Sequence, residues 1–148
     1  MRKMIIAAGI VMFLVVATPT SFGAVSQSNA GGKVVVRISG GNNYSEPTNG
    51  GVAGRGQFTA RGAITDRGTT VTYRWVKGAL PGGLITLRTV AVGKKGTIVF
   101  VVKVDTKVGT SRWTIASGTK AYKGLHGHGT ETENVNFTVS TLTGTVSR

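Results

Sequence analysis

Alternation at period two constrains this chain more than any other feature. The segments "TTVTYRWVK" (69–77), "LITLRTVAV" (84–92), "TIVFVVKV" (97–104) and "TSRWTIAS" (110–117) follow one another with short breaks, and Val, Ile, Thr and aromatic residues dominate them. Residues two apart share one face of an extended strand, and β-branched side chains suit a pleated, half-buried surface. "KVVVRIS" (33–39) and "QFTARGAIT" (57–65) read as earlier strands, and approximately 125–133 and 136–146 as later ones. Short turns require neighbouring strands to run antiparallel, and about eight strands is the number at which a small sheet closes on itself. The expected fold is all-β: one eight-stranded antiparallel barrel, up-and-down and calycin-like.

The breaks carry turn chemistry. "DRG" (66–68) and "GKKG" (93–96) read as hairpin loops, and "LPGG" (80–83) places Pro and Gly as a type II turn wants them. The exception is 40–56, "GGNNYSEPTNGGVAGRG", which has no periodicity and reads as one long loop. Its Gly-rich end lacks the Lys-Ser/Thr of a phosphate loop and precedes a strand, so it does not read as a nucleotide site. Phe58, Ala60 and Ile64 are expected inside the barrel. Val71, Tyr73 and Trp75 share a face, as do Ile98, Phe100 and Val102, but parity leaves open which face is inner.

The first residues need a separate reading. Arg2 and Lys3 precede a mostly apolar, uncharged run (4–17) and a polar stretch containing Pro19, the order of an export signal. The run is shorter than the roughly 20 apolar residues that span a bilayer. Cleavage after Gly23 is expected, giving a signal peptide (1–23), a flexible segment (24–32) and a barrel domain (33–148), secreted or associated with the cell envelope. With no cysteine, the domain must be held by packing and hydrogen bonds.

Without Arg2 and Lys3 the 18 basic residues fall to 16, against five acidic ones, for a net charge of +11. Such a surface attracts polyanions, among them polymers of the cell envelope. Arg61, Arg74, Arg88 and Lys103 each sit singly in a different apolar segment, whereas nucleic-acid binders gather cations with aromatics on one face. No specific nucleic-acid partner is expected.

The stretch 118–130, "GTKAYKGLHGHGT", holds both histidines. His126 and His128 share a face of a strand, but no third histidine or cysteine joins them, and on a straight strand Glu131 and Glu133 point the other way. No metal site is expected. Gly118 and Gly124 bracket a tight connection, Gly127 and Gly129 permit a kink or a close approach, and Tyr122 is the large apolar body available to anchor the corner.

"SRWTIASGTKAYKGLHGHGT", followed by "FTVSTLTGTV", resembles the end of exported β-barrel proteins related to allene oxide cyclases and dirigent proteins. The shared signature is an aromatic-containing strand, a Gly-Thr-x-x-Tyr/Phe-x-Gly corner, a Gly-rich strand and a final Thr-rich strand. "GRGQFTARGAITDRGT" (54–69) also fits the opening hairpin of such chains. The resemblance implies an eight-stranded barrel with an elongated apolar interior and no cofactor.

Members of that family steer the cyclisation of a reactive small molecule or orient radicals, in some cases with inward carboxylates as acids. Glu131 and Glu133 are the catalytic candidates here. They face inward if the chain runs unbroken to Val139, but a turn near Asn134 would reset the phase, and the surface is the expected place for both. Tyr73, Trp75 and Trp113 are the candidate ligand contacts. The leading expectation is a binding module for a small apolar or amphipathic molecule. The alternatives are a cofactor-independent cyclase, isomerase or stereochemical guide, and a basic surface module for polyanions of the cell envelope. The sequence does not fix the oligomeric state.

Overall fold

The computed structural model describes residues 31–40 and 49–148. The expected signal peptide (1–23), all but the end of the 24–32 segment, and 41–48 lie outside the described residues. Eight strands follow in chain order: β1 (Gly32–Ser39), β2 (Gly51–Gly62), β3 (Asp66–Lys77), β4 (Leu84–Gly93), β5 (Thr97–Asp105), β6 (Thr110–Gly118), β7 (His126–Glu133) and β8 (Val139–Ser147). Each pairs antiparallel with the next, and β8 returns to β1 in a register running from Gly32↔Val146 to Ser39↔Val139. The result is the closed up-and-down barrel that the period-two pattern predicts, with no open sheet edge. Among the described residues no helix is long and apolar enough to cross a membrane.

Register decides which side chains are inside, because residues directly opposite in neighbouring strands share a face. Val34 and Val36 stand opposite Gly62 and Ala60, and Val102 stands opposite Leu87 and Trp113. Together with Phe58, Ala91, Ile98, Phe100, Leu142 and Val146, these side chains fill the interior. Phe100 and Trp113 pack edge to face, with ring centres 5.9 Å apart. The elongated apolar space implied by the resemblance is therefore occupied by the chain's own side chains.

On β3 the faces are the reverse of what composition suggests. Thr70, Thr72 and Arg74 stand opposite the inward Ala91, Thr89 and Leu87 of β4, so they face inward, and Val71, Tyr73 and Trp75 face out. Three loop boundaries also differ from the sequence reading. The β2–β3 turn lies at 63–65, and Asp66 opens β3 rather than its turn. The 40–56 stretch is not all loop, because β2 begins at Gly51. Its glycines hide a strand whose backbone runs close to β1; a Cβ on Gly56 would lie 1.9 Å from the Ser39 carbonyl oxygen. The β3–β4 connection spans 78–83, and its Leu80–Pro81 bond is cis in place of the expected type II turn.

At the lower end of the barrel β6 ends at Gly118, a single 3-10 turn (Lys120–Tyr122) follows, and β7 begins at His126. Gly124 has φ +72°, a conformation that favours glycine, and turns the chain into β7. Tyr122 plugs this corner at 5% exposure. Its hydroxyl donates to Asp66 Oδ2 at 2.7 Å. The same carboxylate accepts the backbone N–H groups of Arg67 (2.8 Å), Lys94 (3.2 Å) and Lys95 (3.1 Å). One side chain thus ties the start of β3, the β4–β5 turn and the β6–β7 corner together.

β7 runs on without a kink. What comes close at Gly129 is the β8 backbone, with the Thr143 carbonyl oxygen 2.0 Å from an added Cβ, and Trp113, whose Nε1 would lie 2.7 Å from it. Gly127 likewise leaves room for Val146 and Ile115. His126 and His128 are on the outer face of β7 and exposed to solvent. Among the described residues no group of three His, Cys, Asp or Glu side chains gathers. Replacing both histidines by glutamine is expected to shift the melting temperature by no more than about 2 °C, with or without added zinc, as for exposed side chains away from packing features. Thermal denaturation of the double variant with and without zinc checks this.

Candidate functional site

The upper half of the barrel interior gathers the buried polar side chains, beside the apolar Ile85, Leu87 and Val102. β3 contributes Thr70, Thr72 and Arg74, β4 contributes Thr89, β7 contributes Glu131 and Glu133, and β8 contributes Ser140. Thr70, Thr72, Arg74, Thr89, Glu131 and Ser140 are all buried, and Glu133 is half-buried. Thr72 and Thr89 satisfy one another through a hydroxyl hydrogen bond of 2.9 Å. Arg74, at 2% exposure, brings a guanidinium into the interior.

Glu131 was expected at the surface, and the structure corrects this: it is 7% exposed and faces inward. The turn near Asn134 is real. The Asn134 side chain accepts the N–H groups of Thr138 (2.8 Å) and Val139 (3.0 Å), and Val135 is left 90% exposed. That turn resets the phase only after Glu133. Within β7 the phase is set upstream, where Gly129 must face Trp113 and Glu131 is the next inward position.

Burial pushes the Glu131 carboxyl up, and the neighbouring Glu133 charge pushes it further, while hydrogen bonds with Ser140 and Ser111 pull it down; it comes to rest at about 7. The Ser140 hydroxyl donates to Glu133 Oε1 at 3.1 Å. Glu131 Oε2 is buried and has no hydrogen-bond partner among the described residues. Near neutrality this position therefore holds a carboxylic acid that can donate a hydrogen bond or a proton.

A narrow cleft enters from the rim between β1, β2, β3 and the β7–β8 turn. It reaches Thr70, Thr72 and Ser140, and Ile38, Phe137 and Thr138 line it further out. Its free space is about 10 Å³, room for a single water. Phe137 is 52% exposed beside it.

The sequence-derived candidates divide between the two sides of the wall. Glu131 and Glu133 meet inside at the polar end. Trp113 is inside too, but fully packed: Gly129 and Gly144 make room for its ring, and its Nε1 donates to the Thr143 carbonyl at 3.2 Å. Tyr73 and Trp75 lie on the outer face and do not meet the glutamates. Arg74, Thr72 and Ser140 escaped sequence reasoning. Their one signal is that Thr70, Thr72 and Arg74 form a polar stripe at period two, which looks the same whether it faces water or an interior. Compared with known families and curated proteins, the chain matches no family model and no curated sequence.

Proposed function

We propose that this chain is an exported barrel protein that binds a small amphipathic molecule at the polar end of its interior. The observation that carries this reading is Glu131 Oε2, a buried oxygen left without a hydrogen-bond partner at the level of Ser140. An unsatisfied buried polar atom costs about 1–3 kcal/mol, and a ligand hydroxyl or amine reaching it removes that cost. The filled apolar half argues against a long fatty chain inside the barrel. The cleft, with room for one water, suits no more than a terminal hydroxyl or amine, with the apolar remainder of the molecule against Ile38 and Phe137 at the rim. The resemblance to allene oxide cyclase and dirigent barrels supports the same class of ligand.

One observation favours a second reading, an acid-assisted cyclase or isomerase: Glu131 keeps its proton to about pH 7 and so has one to give near neutrality. Native mass spectrometry of the protein recovered from culture medium tests the first reading. The expected spectrum shows a non-covalent small-molecule adduct that is lost in Glu131→Ala. An apo mass alone, with no melting-temperature rise on adding small-molecule extract from the same culture, would refute it. If the released molecule is converted by the wild type but only bound by Glu131→Gln, the enzyme reading prevails.

A further inference from the structure

Arg88, Lys103 and Arg112 are dispersed along the sequence, but the barrel gathers them. Lys103 on β5 stands directly opposite Arg112 on β6, and Arg88 on β4 pairs with Val101, one outward position from Lys103. All three are exposed on the outer wall. Side chains directly opposite in an antiparallel pair have Cβ atoms about 4.5–5.5 Å apart, and like charges there repel.

The surroundings are a groove of about 420 Å³, lined by Leu84, Val101, Thr110 and Thr114 besides the two cations and Asp105. The acidic member is turned to the backbone: Asp105 Oδ1 accepts the N–H groups of Lys107 (2.9 Å) and Val108 (3.3 Å) in the β5–β6 turn.

We propose that this groove across β4, β5 and β6 binds phosphate groups of an anionic polymer. The Arg112 fork and the Lys103 ammonium can converge on one oxyanion, and the Thr110 and Thr114 hydroxyls flank it along β6, one to either side of Arg112. A tetrahedral phosphate can present its oxygens to the planar Arg fork and to the adjacent ammonium at once. Val101 and Leu84 give the spacer between phosphates an apolar floor, and Arg88 continues the basic strip beyond the groove toward a second phosphate. The net charge of +11 that remains without Arg2 and Lys3 raises the concentration of any polyanion at this surface. The site is independent of the barrel interior.

A second basic groove supplies the control. It is smaller, about 190 Å³, and is lined by Val35, Arg37, Thr59 and Arg61. There Arg37 faces Thr59 and Arg61 faces Val35, so no two cations are opposed.

The test measures binding of the full chain to long-chain inorganic polyphosphate over a range of salt concentrations. Lys103→Gln with Arg112→Gln is expected to weaken binding by about tenfold or more and to make the salt dependence shallower, as loss of two phosphate contacts requires. Arg37→Gln with Arg61→Gln, which removes the same charge, is expected to change affinity by less than about threefold. Polyglutamate of matched charge should bind at least about tenfold more weakly than polyphosphate. Equal losses in the two double variants would overturn the site, and equal affinity for polyglutamate would overturn the phosphate assignment. Lys103→Gln alone, by relieving the opposed charges, should raise the melting temperature by about 1–3 °C. A fall would show that the pair is not held against repulsion and would contradict the proposal.

Discussion

Tyr122→Ala is expected to lower the melting temperature by about 10–20 °C, corresponding to a loss of about 3–5 kcal/mol. Two contributions act together. Removing a ring that is 5% exposed leaves a cavity under the β6–β7 corner, and removing its hydroxyl takes one of four donors from the Asp66 carboxylate. Tyr122→Phe separates them: the ring stays, the hydrogen bond goes, and a loss of about 1–2 kcal/mol is expected. Burial alone would push the Asp66 carboxyl up, but the hydrogen bonds from Tyr122 and from the backbone of Lys95, Arg67 and Lys94 outweigh it and hold the group below its usual value. Its contribution to stability is thus present above the unfolded value and is lost as pH falls through the folded one. Thermal melts of both variants at neutral pH, and of the wild type into the acid range, measure these effects.

Glu131 works in the opposite direction and produces the second large effect. Its folded-state value of about 7 lies above the usual glutamate value of 4.5, so the folded protein holds a proton that the unfolded chain has released in the interval between them. Stability must fall as pH rises from about 4.5 to about 7 and level off above, by about 3 kcal/mol in total at 1.36 kcal/mol per unit. Glu131→Gln keeps the shape and hydrogen-bonding capacity without the charge. It is therefore expected to abolish this slope and to be more stable than the wild type at pH 8 by about the same amount. Denaturant melts of both proteins between pH 4 and pH 9 give the two curves. Parallel curves over that range would mean that Glu131 ionises without penalty.

Local pattern makes strands legible in this sequence and leaves contacts between distant strands hidden. β4 alternates cleanly, β5 and β6 are rich in β-branched and aromatic residues, and all three lie where the strand reading places them; closure follows from strand number and short turns. β2 was only half visible, because Gly51, Gly54 and Gly56 suggest loop, although at Gly56 the missing side chain lets the backbone run close to β1. β3 offers two stripes, one aromatic and one of threonine and arginine, and only its register with Leu87, Thr89 and Ala91 of β4 turns the polar stripe inward. The same limit applies to the sites. Glu131 could be placed inside only by knowing that Gly129 lies under Trp113. Lys103 and Arg112 are single charges in separate apolar runs until β5 and β6 pair. Asp66 looked like a turn residue, and its bond with Tyr122, 56 positions away, has no local signal.

The buried acid is the centre of this account, and its titration tests it most directly. With carboxyl-¹³C glutamate incorporated, the Glu131 resonance can be assigned by its disappearance in Glu131→Gln and followed against pH in the folded protein. A midpoint near 7 is expected, shifted further when a ligand occupies the polar end. A midpoint at the ordinary glutamate value of about 4.3 would contradict it, because Glu131 would then be a solvated carboxylate and the barrel would hold no neutral acid for a ligand to meet.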